Sequence, residues 1–349
     1  MSTPSIIVVG SSNTDMIIKL DRIPRPGETI LGGEFVTAAG GKGANQAVAA
    51  ARAGGKVTFI GRVGCDMFGD EAIAGFRRDG INLKHLVRDA KAPSGAALIF
   101  VAKDGENSIA VAGGANGRLS PADVRKAKRA FANASAVIMQ LETPLETVQA
   151  AAELAAKAGV RVILNPAPAR SLPDKLLKLV SILTPNETEA ELLTGIKVTD
   201  EKSAGQAADK LLAKGVETVI LTLGARGAFV AGAGIRQLVA GFKVKPVDTT
   251  AAGDTFNGAL VVALGESLAL IDAVRFANAA AAISVTRLGA QPSAPSRKEI
   301  DRFLGCQSKT PQVRAGVNGF ITSLSSNKLT TTKTICARDE LAVQPPQLL

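Results

Sequence analysis

In residues 248–260, DTTAAGDTFNGAL, the small residues Thr249, Thr250, Ala251, Ala252 and Gly253 separate Asp248 from a second acid, Asp254, which stands where chemistry could happen, at the entry to an apolar helical stretch. A helix start exposes unpaired N–H groups and carries partial positive charge. Small residues there let a bulky anion reach the backbone, and the N–H groups of Ala251, Ala252 and Gly253 can converge on it. Asp254 at the rim could take a proton from a hydroxyl attacking a phosphoryl group. Taken alone, the stretch is more simply read as a capping aspartate.

The choice of base is narrow. His85 is the only histidine, which excludes multi-histidine metal chemistry. In NLKHLV it reads as structural, which leaves no imidazole for Ser-His-Asp or Cys-His catalysis. Cys65, Cys306 and Cys336 lie far apart without CxxC spacing, so neither a zinc site nor a disulfide framework is expected, and a reduced, cytosolic setting fits. Neither G-x-x-x-x-G-K-[ST] nor G-x-G-x-x-G occurs, which removes the P-loop and dinucleotide fingerprints.

Four other stretches place polar groups at the ends of apolar runs. GGKGANQ (40–46) again puts small residues at a helix start, with Asn45 able to bind hydroxyls. SSNTD (11–15) follows the first apolar run, and QLETP (140–144) ends another with Glu142. NETEAE (186–191) opens a helix with acids that could hold Mg²⁺ through water. Singly, each is an ordinary turn or cap. Together they place polyol-binding groups and an anion hole at strand C-termini, in one crevice.

The elements that must position these groups are legible as alternating patterns. SIIVVG (5–10), VTFIG (57–61), AVIMQL (136–141), VRVILN (160–165), VSILTPN (180–186) and ETVILTLG (217–224) read as buried parallel strands. Between them, ANQAVAAARAG (44–54), PLETVQAAAELAAKAG (144–159) and EKSAGQAADKLLAKG (201–215) read as helices stopped by Gly. The alternation predicts an α/β domain with a mostly parallel central sheet. MIIKL (16–20) with ETILGGEFVTA (28–38), and GAALIFVAKDGENSIAVAGG (95–114), read as strands outside that sheet, either a lid over a ligand site or an edge extension.

The chain has 349 residues, 46% of them hydrophobic, enough for a sizeable core in one large domain or two ordinary ones. Trp and Tyr are absent, which argues against nucleic-acid binding by base stacking. The net charge is +10, and the stretch after residue 304 contributes three of it. Such charge suits anionic substrates, and equally a solvated basic surface. The first residues, MSTPSIIVVG, are too short in their apolar run for a signal peptide, and no 18-residue apolar stretch exists, so a soluble, intracellular protein is expected. Residues 305–349 are Ser/Thr-rich without periodicity and read as a disordered tail with no catalytic part.

AAGGKGANQAVAAARAG paired with VDTTAAGDTFNGAL resembles the two signatures of the ribokinase-like carbohydrate kinase family. QLETPLE, LNPAPAR, TPNETEAE, TLGARG and GAQPS follow in the family's order, so the resemblance spans residues 5–304. It implies a doubly wound, Rossmann-like α/β fold with a small β-sheet lid, working as a homodimer through that lid. The implied activity is in-line transfer from ATP to O5 of D-ribose without a phospho-enzyme; 2-deoxyribose, another small sugar or a nucleoside are alternatives. A silent sugar-binding regulator is a competing class, against which the intact Asp254 stands.

By position, Asp254 matches the base that deprotonates the sugar hydroxyl, and Ala251 to Gly253 the anion hole. Many members read GAGD where this chain reads AAGD. Asn13, Asp15, Gly41, Lys42, Gly43, Ala44, Asn45 and Glu142 match sugar-binding positions, and Ala97, Ile99 and Val111 match lid residues. Asn186, Thr222, Leu223, Gly224, Ala225, Arg226, Gly227, Gly253, Asp254 and Asn278 match ATP-holding positions; Asn186 and Glu189 match an NxxE element tied to Mg²⁺. A K⁺ site is implied at Asp248, Thr250, Ser284, Arg287, Gly289 and Ser293, with Asp248 and Ser293 acting through side chains and the rest through carbonyls.

Overall fold

The computed structural model describes residues 3–307. Its core strands are β1 (Ser5–Val9), then, after β2 (Asn13–Leu20) and β3 (Glu34–Gly40), β4 (Lys56–Gly64) and β5 (Asn82–Asp89). β6 (Gly95–Ala102) and β7 (Asn107–Ala112) intervene before β8 (Ala136–Met139), β9 (Arg161–Leu164), β10 (Ile182–Leu183), β11 (Thr218–Thr222), β12 (Gly227–Gly232) and β13 (Ile235–Ala240). The helices are α1 (Lys42–Arg52), α2 (Met67–Arg78), α3 (Pro121–Lys126), α4 (Lys128–Phe131), α5 (Leu145–Lys157) and α6 (Asp174–Leu177). They continue with α7 (Glu187–Thr194), α8 (Glu201–Ala213), α9 (Ala252–Gly265), α10 (Leu270–Ser284) and α11 (Arg297–Gln307).

Nine strands form one sheet in the order β13-β12-β11-β10-β9-β8-β1-β4-β5, parallel from β11 to β5 and antiparallel at the β12–β13 edge. Helices cover both faces, so alternate residues of one strand enter different cores. Ile7, Val9, Val137 and Met139 pack with α5 and α8, whereas Ile6, Val8, Ala136 and Ile138 pack with α1, α9 and α10. The expected α/β architecture is the one observed.

Three strands had no sequence forecast. β5 is an edge strand whose polar residues interrupt the apolar run, and His85 sits on it opposite Ile60, held below its ordinary pKa by burial and by Lys84. β12 and β13 form a short hairpin rich in Gly and Ala. The remaining strands make a separate sheet, β3-β2-β6-β7. Its β3 begins only at Glu34, not at residue 28, because Gly32 and Gly33 sit at φ 101° and 103°, off the strand path. The tail expected from residue 305 lies outside the described residues except for 305–307, which complete α11.

Candidate active site

From β1 the chain builds the sheet outward through β4 and β5, then crosses back to β8 on the other side of β1. The loops leaving β1 and β8 therefore diverge and open a crevice beyond the strand ends. Ser11 leaves β1 and Glu142 leaves β8, and the Ser11 hydroxyl donates to the Glu142 carboxylate. The Lys42 N–H, at the start of α1, donates to the same carboxylate oxygen at 2.9 Å. Gly41 turns the chain into α1 at φ 89°, where a Cβ would stand 2.7 Å from the Asn13 nitrogen. Only glycine brings the helix start this close to β2.

The small sheet supplies the crevice's other wall. Asp15 on β2 pairs with Ala97 on β6, which pairs with Val111 on β7, so the three stand in one row; Ile99 lies two residues along the same face. Asn13 is buried, and its Oδ1 accepts from Asn116 Nδ2 at 2.7 Å. Asn116 also accepts from the Ser12 N–H at 2.9 Å and donates to the Ser12 carbonyl at 3.0 Å. In the sequence Asn116 carries no signal beyond the small-residue run GGANG around it.

Asp254 lies in the first turn of α9, 5% exposed. It can be reached because α9 packs closely on the alanine-rich face of α1: a Cβ at Gly258 would stand 2.6 Å from the Ala49 Cβ. Asn45 Nδ2 donates to Asp254 Oδ2 at 3.1 Å and Gln46 Nε2 to Oδ1 at 2.9 Å. Asn45 Oδ1 is buried with no partner among the described residues, an acceptor left for something else. Burial pushes the Asp254 carboxyl above its ordinary value, against the opposing charge of Lys42 and the Gln46 and Asn45 donors. Asp15 is pushed up to about 6 by burial and by the Glu142 and Asp254 charges. Lys42 is raised as well: burial opposes its charge, but Asp254, Glu142 and Glu189 outweigh it.

Beside Asp254 the backbone turns at Ala251, φ 56°. Ala252 N–H returns to the Thr249 carbonyl at 3.2 Å, while Ala251 and Gly253 have no N–H acceptor among the described residues. A Cβ at Gly253 would meet nothing within 4 Å. This open helix start forms one end of a cavity of about 620 Å³. Asn186, Thr222, Gly224, Ala225, Gly227 and Asn278 line it, and Phe242, Val244, Pro246, Ala281 and Val285 give it an apolar wall. Two expected nucleotide residues stand outside the lining. Leu223 is packed in the core, and Arg226 turns to the Thr199 carbonyl and to Glu187. Lys42 lines the cavity with Asp254 and Glu189, so it links the crevice to the cavity.

The residues expected at metals are partly committed. Asn186 and Glu189 form a reciprocal cap on α7, with Glu189 Oε2 accepting the Asn186 N–H at 2.9 Å and Oε1 its amide at 3.0 Å. Burial raises the Glu189 carboxyl despite these bonds. Among the described residues no group of three His, Cys, Asp or Glu could hold a metal. Asp248 accepts the Thr250 N–H at 2.9 Å and the Gly289 N–H at 2.8 Å, drawing two of the expected K⁺ segments together. Burial alone would raise Asp248, but these bonds outweigh it and hold it low. The Ser284 carbonyl accepts the Arg287 N–H at 3.0 Å, and the Arg287 side chain leaves toward Glu299. The Ser293 hydroxyl donates to the Ala290 carbonyl at 2.7 Å.

Comparison with known proteins gives this geometry a context. The model of the pfkB family carbohydrate kinases matches residues 3–297. A ribokinase of Haemophilus influenzae is 51% identical over 300 residues, 86% of this chain and 98% of that one. A deoxyribokinase of Salmonella typhi is 39% identical over 300 residues, again 86% of this chain and 98% of the relative. Among solved structures, an Arabidopsis thaliana ribokinase complexed with ribose and ATP is 36% identical at a TM-score of 0.79, covering 87% of this chain and 99% of that one.

Proposed function

The chain belongs to the pfkB family of carbohydrate kinases, and from that premise we propose that it transfers the terminal phosphoryl group of ATP to O5 of D-ribose. The observation that carries this reading is Asp254, buried between a crevice of hydroxyl-binding groups and an apolar-walled cavity, at a helix start with open N–H groups. The 51% identity to a ribokinase supports the sugar. Asn13, Asp15, Asn45 and Glu142 hold the hydroxyls, and Asp254 takes the proton of O5 as O5 attacks phosphorus. One O–P bond forms, the bond to ADP breaks, and the Ala251 and Gly253 N–H groups stabilise charge on the transferring phosphoryl. The raised Asp254 carboxyl suits it to that proton.

Mg²⁺ accompanying ATP would neutralise phosphate charge. Both Glu189 oxygens accept bonds from Asn186, so that carboxylate fits such an ion through water. The Asp248 carboxylate and nearby backbone carbonyls are hard oxygen donors that fit K⁺. Held there, K⁺ would order the turn that ends in the anion hole, so replacing K⁺ by Na⁺ at fixed ionic strength should lower turnover severalfold. No helix among the described residues is long and apolar enough to cross a membrane. The cytoplasmic setting we propose is supported by cysteines without CxxC or paired spacing.

A 2-deoxyribose kinase is the second reading, favoured by the deoxyribokinase relative. A coupled ADP-release assay against pentoses, deoxypentoses, hexoses and nucleosides decides between them. Ribose should give the highest kcat/KM; preference for 2-deoxyribose would transfer the assignment, and no sugar-dependent turnover would remove it.

A further inference from the structure

Below Asp254 five buried side chains, Gln46, Gln140, Asn165, Thr184 and Asn257, make hydrogen bonds whose direction is fixed. Asn257 Nδ2 donates to the Gly253 carbonyl at 2.9 Å, and Asn165 Nδ2 to the Thr184 carbonyl at 3.1 Å. A backbone carbonyl can only accept, so both amides are locked with their oxygens pointing elsewhere. Asn257 Oδ1 accepts the Thr184 hydroxyl at 2.7 Å. Asn165 Oδ1 faces Gln46, which must answer with Nε2, at 3.1 Å. The same Nε2 reaches Asp254 Oδ1 at 2.9 Å. Gln46 Oε1 is thereby left to accept Gln140 Nε2, at 2.5 Å. Turning Gln46 over would set its oxygen against two other acceptors.

We infer that Gln46, oriented by Asn165 and Gln140, is a positioning residue that presents an obligatory donor to Asp254 and holds its carboxylate toward the sugar hydroxyl. The inference rests on reading Asp254 as the base. With Gln46 on one oxygen and Asn45 on the other, the carboxylate cannot rotate without losing both bonds. A donor also favours the ionised form that a base needs. The charged groups facing Asp254 are Lys42 on α1, which favours ionisation, and Glu142 after β8, Glu189 on α7 and Asp15 on β2, which oppose it. Gln46 therefore supplies from below what three neighbouring acids take away.

Gln46→Met keeps the side-chain length and removes the donor. It should lower kcat roughly tenfold or more, the scale of one hydrogen bond to a charged group. KM for ATP should hold, and the acid limb of the kcat–pH profile should move up. Gln140→Met does not touch Asp254 but strands Gln46 Oε1 without its donor, so the loosened Gln46 amide should move the limb the same way by a smaller amount. In the unmutated protein, the Gln46 side-chain ¹⁵N–¹H resonances should shift across that same limb, a readout that needs no variant to fold. A folded Gln46→Met with unchanged kcat and limb, or Gln46 resonances flat across the limb, overturns the inference. Asp254→Asn separates the two readings. Full turnover in Asp254→Asn removes the base itself, whereas an inactive Asp254→Asn beside an unaffected Gln46→Met removes only the relay.

Discussion

Burial and the charges of Glu142 and Asp254 push Asp15 up to about 6 from an ordinary 3.8. Between those values the folded chain holds a proton that the unfolded chain has lost, so this group's contribution to stability falls as pH rises through the window and stays low above it. Asp15→Asn should therefore stabilise the ligand-free protein at pH 7.5 by about 1–3 kcal/mol, with little effect near pH 4. The same change should weaken ribose binding, as expected where a site keeps destabilising groups for function. Calorimetric melting and ribose titration read the two effects separately. Asn116→Ala should raise KM for ribose by about 1–3 kcal/mol in free-energy terms while KM for ATP holds, because Asn13 loses its orienting donor. Asp254, Asn45 and Glu142 could be picked out in the sequence because small and polar residues recur together at strand ends and helix starts, although each stretch alone reads as a turn or cap. Gln46 and Asn116 were not. Their partners Asp254 and Asn13 lie 208 and 103 residues away, and no local pattern announces such a contact.

At the scale of elements, the active site depends on how closely α1 and α9 approach. Gly258 faces Ala49, Ala50 and Gln46 at distances that leave no room for a side chain, the nearest being 2.6 Å. Gly258→Val should destabilise the fold by about 1–3 kcal/mol through overpacking and also lower kcat, because Asn45 and Gln46 are carried away from Asp254. Urea unfolding and turnover of the same sample test this; lost stability with unchanged kcat would detach the helix contact from the site. Parallel strands were readable because burial on both faces demands unbroken β-branched runs such as SIIVV and AVIM. β5, β12 and β13 escaped because edge strands tolerate polar residues and small-residue hairpins carry little periodicity.

At the scale of the molecule, the face of the small sheet turned away from Asp15 presents apolar side chains to solvent: Phe35 is 61% exposed and Leu98 51%. On a free monomer such a surface is a liability, and it suits the homodimer through the lid that the family resemblance implies. Sedimentation should give a dimer at micromolar concentration, and Leu98→Glu should shift it toward monomer with the melting of the main domain little changed. A monomeric unmutated protein would remove the lid contact from the account.

The central claim is that Asp254 takes the proton of a ribose hydroxyl while the α9 start holds the phosphoryl group. Its most direct test is single-turnover phosphorylation of ribose by Asp254→Asn at saturating ATP, beside equilibrium titration of ribose into the same variant. The account predicts near-normal ribose affinity and a transfer rate lower by about 10²–10⁴-fold. Transfer at the unmutated rate, with ribose bound, would contradict it.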